Sequence, residues 1–135
     1  KLDSHLLSVP GIGVNLAPVI LAEIGDINNF DKPSKLIAFA GIDPSENQSG
    51  NKLSSNDKTS KRGSPYLRHA IYTASLVAIS NEPELRNYYD KKISEGKHHF
   101  VALAGISRKL LTIIYYILKE DRDYIKYDNI KDKLN

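Results

Sequence analysis

Gln48-Ser49-Gly50-Asn51-Lys52 sets a hydroxyl beside a glycine, flanked by two amides and a cation. A serine is a weak nucleophile until a base, cation or metal activates it, and a phosphodiester under attack needs positive charge to meet the negative charge that develops. Lys52, Lys61, Arg62 and Arg68 follow in the same stretch and could neutralise such a group, with Gln48 and Asn51 as further hydrogen-bonding contacts. By composition alone Ser45, Ser54, Ser55 and Ser60 are equally available as the hydroxyl, because serine is common wherever the chain turns. The charge is less ambiguous. Residues 47–69 hold five cations against Asp57, a net of +4, while the whole chain is only +3 and the remainder sums to −1. A mildly basic protein thus has one strongly basic place, and a polyanion is its natural partner.

Val9-Pro10-Gly11-Ile12-Gly13 is a second candidate for phosphate contact. A Pro-Gly-x-Gly turn between two apolar helices has the form of a helix-hairpin-helix, in which turn N–H groups and the next helix start face a phosphate. Gly11 and Gly13 would then let the backbone approach. The competing reading is a tight turn with nothing bound, since Val14-Asn15-Leu16 brings no cation.

Other chemistries are poorly provided for. Without cysteine there are no disulfides, thiol nucleophiles or thiolate metal sites. His5, His69, His98 and His99 lack metal-ligand spacing, and no tight acidic cluster suggests a metal pair, so no metal is assigned to this chain. No run approaches ~18 apolar residues, so a membrane-spanning helix is not expected. No charged-then-apolar leader is present, which makes the cytoplasm the expected location. The chain starts Lys-Leu-Asp and contains no methionine, and it reads as a piece of a longer protein.

The elements that must position these groups read as helices. Leu2, Leu6, Leu7 and Val9 end an incoming helix; Ala17, Ile20, Leu21 and Ile24 mark the next, with Pro18 in its first turn or at a kink. Asp31 is expected to cap a short helix with Pro33 in its first turn, Leu36, Ile37 and Phe39 as its apolar residues and Gly41 beyond its end. Residues 42–63 interrupt this pattern with only Ile42 and Leu53 as aliphatic side chains. That is too little apolar area to offset ordering entropy, so residues from about 43 to 61 are expected to be mobile without nucleic acid, although 47–61 could form a small hairpin.

Ser64-Pro65 restarts a helix, cap then proline, with Leu67, Ala70, Ile71, Ala74 and Ala78 as its buried stripe and Arg68 on another face. The Thr59-to-Gly63 cations converge on that start as a phosphate clamp. Asn81 is expected to cap a following helix through Leu85, Tyr88, Tyr89 and Ile93, stopped by Gly96. A last helix from about His98 to Lys119, with Phe100 to Leu118 as a wide apolar stripe, is the one the others should pack around. The fold class is therefore all-α.

Taken together, SVPGIG, LAEIGDINNF, KLIAFAGIDPSENQSGNK, TSKRGSPYLRHAIYTAS and SRKLLTIIYYILK resemble, in that order, the C-terminal domain of bacterial insertion-sequence transposases of the one-ten, one-sixteen and nine-oh-two group. These are DEDD transposases that use a catalytic serine. The resemblance runs from about Leu7 to Lys119. It implies that Ser49, the serine of QSGN, attacks a DNA phosphodiester and holds the broken strand as a phosphoserine. It further implies a companion N-terminal RuvC-like domain, without counterpart in this chain, whose four acidic residues hold a divalent metal such as magnesium. Implied partners are DNA, a structured guide (bridge) RNA and further copies of the same protein, with no membrane. On this basis residues 1–120 form the helical domain, with a helix-hairpin-helix-like part at 2–25, the catalytic and basic loop at 42–63 and the helical core at 64–119, and 121–135 form a tail. Two other readings use the same residues: a helix-hairpin-helix module that grips nucleic acid without chemistry, and an oligomerisation domain built on the 100–118 stripe.

Overall fold

A computed structural model describes residues 4–42 and 63–124. Among the described residues the chain is all helical: α1 Leu16–Ile24, α2 Pro33–Ala40, α3 Pro65–Asn81, α4 Pro83–Ser94 and α5 His99–Glu120, with 3-10 turns at Ser4–Ser8 and Ile27–Asn29. The segment read as a small hairpin, and the expected mobility of the loop, fall outside these residues.

The ends of the helices follow local chemistry. Pro18 lies in the first turn of α1, where its missing N–H costs nothing, so the helix starts at Leu16 and does not kink. Pro33, Pro65 and Pro83 likewise open α2, α3 and α4. Ser64 caps α3 as expected: its hydroxyl accepts from the Leu67 N–H at 2.9 Å. Two expected caps move by one residue. Lys32, not Asp31, occupies the cap position of α2, and Glu82, not Asn81, separates α3 from α4; neither side chain bonds to the helix it precedes. In each case proline fixes the first helical residue, and the residue before it must be extended, which sets the cap whatever its side chain. The incoming segment is a five-residue 3-10 turn in its described part, with Leu6 and Val9 buried and Leu7 partly exposed.

α5 is the central helix: α2, α3, α4 and both 3-10 turns pack on it. By length and composition it is apolar enough to cross a membrane, contrary to the sequence expectation. Its apolar side chains instead fill the core, where Ile106, Leu110, Leu111, Ile113, Ile114 and Ile117 are fully buried. Phe100 departs from the expected stripe and is 66% exposed, because the packing face begins only at Ala102. α3 meets α5 through small residues, and the buried Ser75 and Ser107 hydroxyls lie 2.9 Å apart, each also reaching the carbonyl four residues back. Residues 121–124 leave the helix and dock: the Tyr124 N–H donates to Ser8 Oγ at 2.7 Å, and its hydroxyl donates to Glu82 at 3.1 Å.

Candidate nucleic-acid interface

The chain leaves α2 and re-enters at α3 in one place. α2 ends with Gly41 in the left-handed region, φ +77°, and its last turn closes by Gly41 N–H to Ala38 O at 2.9 Å and Ile42 N–H to Ile37 O at 3.2 Å. Ile42, counted with the loop on sequence, is core: it is 4% exposed. The re-entering chain then donates Ser64 N–H to Phe39 O at 2.8 Å. Ile42 and Ser64, on the two sides of 43–62, are therefore both bonded to the last turn of α2.

Two guanidinium groups reach that end. Arg68 Nη1 donates to Ala40 O and Arg108 Nη1 to Ile42 O, both at 3.5 Å. The attraction is mostly charge against the negative end of the α2 dipole, given the long distances. Each guanidinium has five N–H donors, more than one carbonyl can use. Gly41 is required here by its positive φ, and a Cβ would also push aside the flexible end of Arg68.

On the other side of the loop root, the buried Ser64 hydroxyl donates to Glu23 Oε1 of α1 at 2.6 Å while accepting from Leu67 N–H. A carboxylate at the start of α3 suits the positive end of its dipole. Glu23 and Ser64 thus stand at this helix start, while Thr59 to Arg62 of the phosphate clamp expected there lie outside the described residues.

The sequence candidates separate into three groups. Arg68 stands at the loop root. Ser49, Gln48, Asn51, Lys52, Lys61 and Arg62 lie outside the described residues. Gly11 and Gly13 lie elsewhere: Gly11, φ +88°, packs so closely on α3 that a Cβ would collide with the Ala74 carbonyl oxygen. Gly13 has nothing within 4 Å of where a Cβ would stand, and it is exposed. Ala74 is ten residues along α3 from Ser64, or about 15 Å at helical rise, so the turn and the loop root are at different ends of the α1–α3 pair.

Glu23 and Arg108 were missed on sequence. Arg108 stands in the SRKLL segment among core residues, and only the α2–α5 contact brings it to Ile42. Among the described residues no group of three His, Asp or Glu side chains could hold a metal ion.

A helical unit with two guanidinium groups at the helix end where a long polar stretch of sequence begins is the class that fold and site define. The comparisons place it: residues 3–90 match the model of the Transposase IS116/IS110/IS902 family, and the chain belongs to that family. It is 36% identical over 120 residues to the insertion element IS900 uncharacterized 42 kDa protein of Mycobacterium paratuberculosis, covering 88% of this chain and 30% of that protein. It is 31% identical over 124 residues to the pilin gene-inverting protein of Moraxella bovis, covering 91% of this chain and 38% of the relative. The transposase for insertion sequence element IS1111A of Coxiella burnetii is 30% identical over 120 residues, 87% of this chain and 33% of that transposase. The chain spans about a third of the length of these relatives.

Proposed function

We propose that this chain is the serine-bearing module of a transposase that cuts and rejoins DNA, with Ser49 as the nucleophile. The observation that supports it best is at the described residues beside the stretch that holds Gln48-Ser49-Gly50: Ile42 and Ser64 both bond to the last turn of α2, where Arg68 and Arg108 also reach. The names of two relatives, a transposase and a pilin gene-inverting protein, both denote rearrangement of DNA. Ser49 Oγ would bond to phosphorus as its proton leaves, and one strand end would depart as a hydroxyl after taking up a proton. A second strand's hydroxyl would then attack the phosphoserine, lose its proton and expel Ser49. Storing the bond as a phosphoester lets strands exchange without a nucleotide cofactor. Cations around the loop root would stabilise the charge on the phosphate.

A divalent metal, magnesium on the family resemblance, would be held by acidic residues outside this chain and would supply further charge stabilisation when bound. A guide RNA and a multimeric assembly complete the proposal; base pairing would choose the sequence and the protein would grip the backbone. The test is capture of end-labelled DNA by the full-length protein under denaturing conditions. Ser49→Ala should abolish capture and leave native binding nearly unchanged. Capture that persists in Ser49→Ala would assign the nucleophile to another residue.

A further inference from the structure

Four rings meet where α4 turns into α5. His98 stacks on Phe100 with ring centroids 5.3 Å apart and planes 16° from parallel, and His99 tilts against the same Phe100 ring at 5.4 Å. Tyr89 of α4 holds His99 in turn, through a 2.7 Å hydrogen bond between its hydroxyl and Nδ1 and an edge contact at 5.7 Å. His98 is fixed by the helix it caps: its Nδ1 accepts from the Phe100 N–H at 3.1 Å. The neutral ring then carries its proton on Nε2, which makes that nitrogen a donor. Despite these contacts Phe100 is 66% exposed, and His98 is exposed as well.

A lone apolar ring on a surface needs no explanation. Here two aromatic planes are held nearly parallel and offered to solvent, an ordering that fills no core. A third flat ring can extend the pair, because offset stacking is favourable at these separations. The rings are set before a ligand arrives, so little freedom is lost on binding. The surroundings suit a nucleobase over a protein side chain. Lys97 is exposed and directly precedes His98, and residues 91–100 carry Lys91, Lys92 and Lys97 against Glu95, a net of +2. A base brings a phosphate that such a cation can meet, and an apolar side chain brings none.

We infer that the His98–Phe100 stack is a platform for an unpaired base of a DNA strand, with Lys97 at the adjoining phosphate. The inference rests on the proposed cutting and rejoining of DNA, in which strands part and leave bases without partners. It adds a contact different in kind from those at the loop root. Stacking is nearly indifferent to base identity, so the platform holds a separated strand of any sequence.

The test uses the full-length protein and a single-stranded DNA carrying 5-iodouracil, which on irradiation bonds to a ring stacked on it, with the matching duplex and an RNA of the same sequence alongside. Mass spectrometry should place the crosslink on His98 or Phe100 with the single strand and not with the duplex. Phe100→Leu keeps an apolar side chain at this exposed position but no ring. It should abolish the crosslink and weaken single-strand binding about tenfold, at the salt slope of the unaltered protein. Phe100→Tyr should restore both, and Val101→Ala, at the neighbouring exposed position, should leave both unchanged. Lys97→Gln should flatten the log-log salt dependence by roughly 0.7. A single strand that stays unbound, or that binds without crosslinking at 98–100, overturns the platform and leaves the proposed function to its own test at Ser49. Crosslinking by RNA alone overturns the assignment to DNA. If Phe100→Leu and Val101→Ala instead break an oligomer while single-strand binding is unchanged, the patch is a protein interface and the inference is overturned.

Discussion

The two turns that meet α3 use opposite physics. At the turn before α1, Gly11 lies against the Ala74 carbonyl, and Val9 and Ile12 are buried, so the contact is apolar and close. At the loop root the same helix is met by hydrogen bonds and charge, through Ser64, Glu23, Phe39 O and Arg68. A glycine in a turn that resembles a phosphate-binding hairpin thus packs on a helix, while the polar end ties Ser64 to α1 and α2. Glycine spacing alone does not separate the two uses. What lies opposite the missing side chain does.

Substitution of the two turn glycines is the largest way to break the comparison. Gly11→Ala must place a Cβ on the Ala74 carbonyl at φ +88°, a backbone clash that cannot relax by a rotamer change, and should cost about 2–4 kcal/mol. Gly13→Ala should stay within about 0.5 kcal/mol, since its Cβ meets nothing. Urea unfolding midpoints measure both. Equal losses would mean that the turn does not pack on α3 as described.

At the polar end the expected stability effects are smaller. Ser64→Ala removes the cap of α3 and the partner of Glu23, and should cost about 1 kcal/mol by the same measurement. No loss would show that the loop root is held by its backbone bonds alone. Smaller still in stability, Arg68→Ala with Arg108→Ala should leave the unfolding midpoint nearly unchanged, because both contacts are at 3.5 Å. That pair should instead reduce the salt slope of DNA binding by roughly 0.9 per lost phosphate contact. A slope equal to that of the unaltered chain would make both arginines part of the scaffold.

Much of this contrast was legible in the sequence. Apolar spacing marked Leu67, Ala70, Ile71, Ala74 and Ala78 as one face, and all five are buried. Ser64-Pro65 and Gly41 fixed a start and a stop, because cap chemistry and positive φ are local properties. Other features depended on distant partners. Nothing near Gly11 in the chain announces Ala74, and nothing near Glu23 announces Ser64, 41 residues away. The cavity lined by α2, α4 and α5 is the extreme case: Lys32 and Lys109 both line it only because α2 packs on α5. Phe100 shows the converse, since periodicity extended the apolar stripe one turn past the helices that cover it.

The central claim is that this family module acts through one hydroxyl, and locating the covalent bond tests it most directly. The full-length protein, with magnesium and a guide RNA supplied, would be incubated with labelled DNA, denatured, digested and mapped by mass spectrometry. The account predicts a nucleotide-phosphate adduct on the peptide containing Ser49, lost in Ser49→Ala and retained in Ser45→Ala and Ser55→Ala. An adduct on any other residue, or one that survives Ser49→Ala, would contradict it.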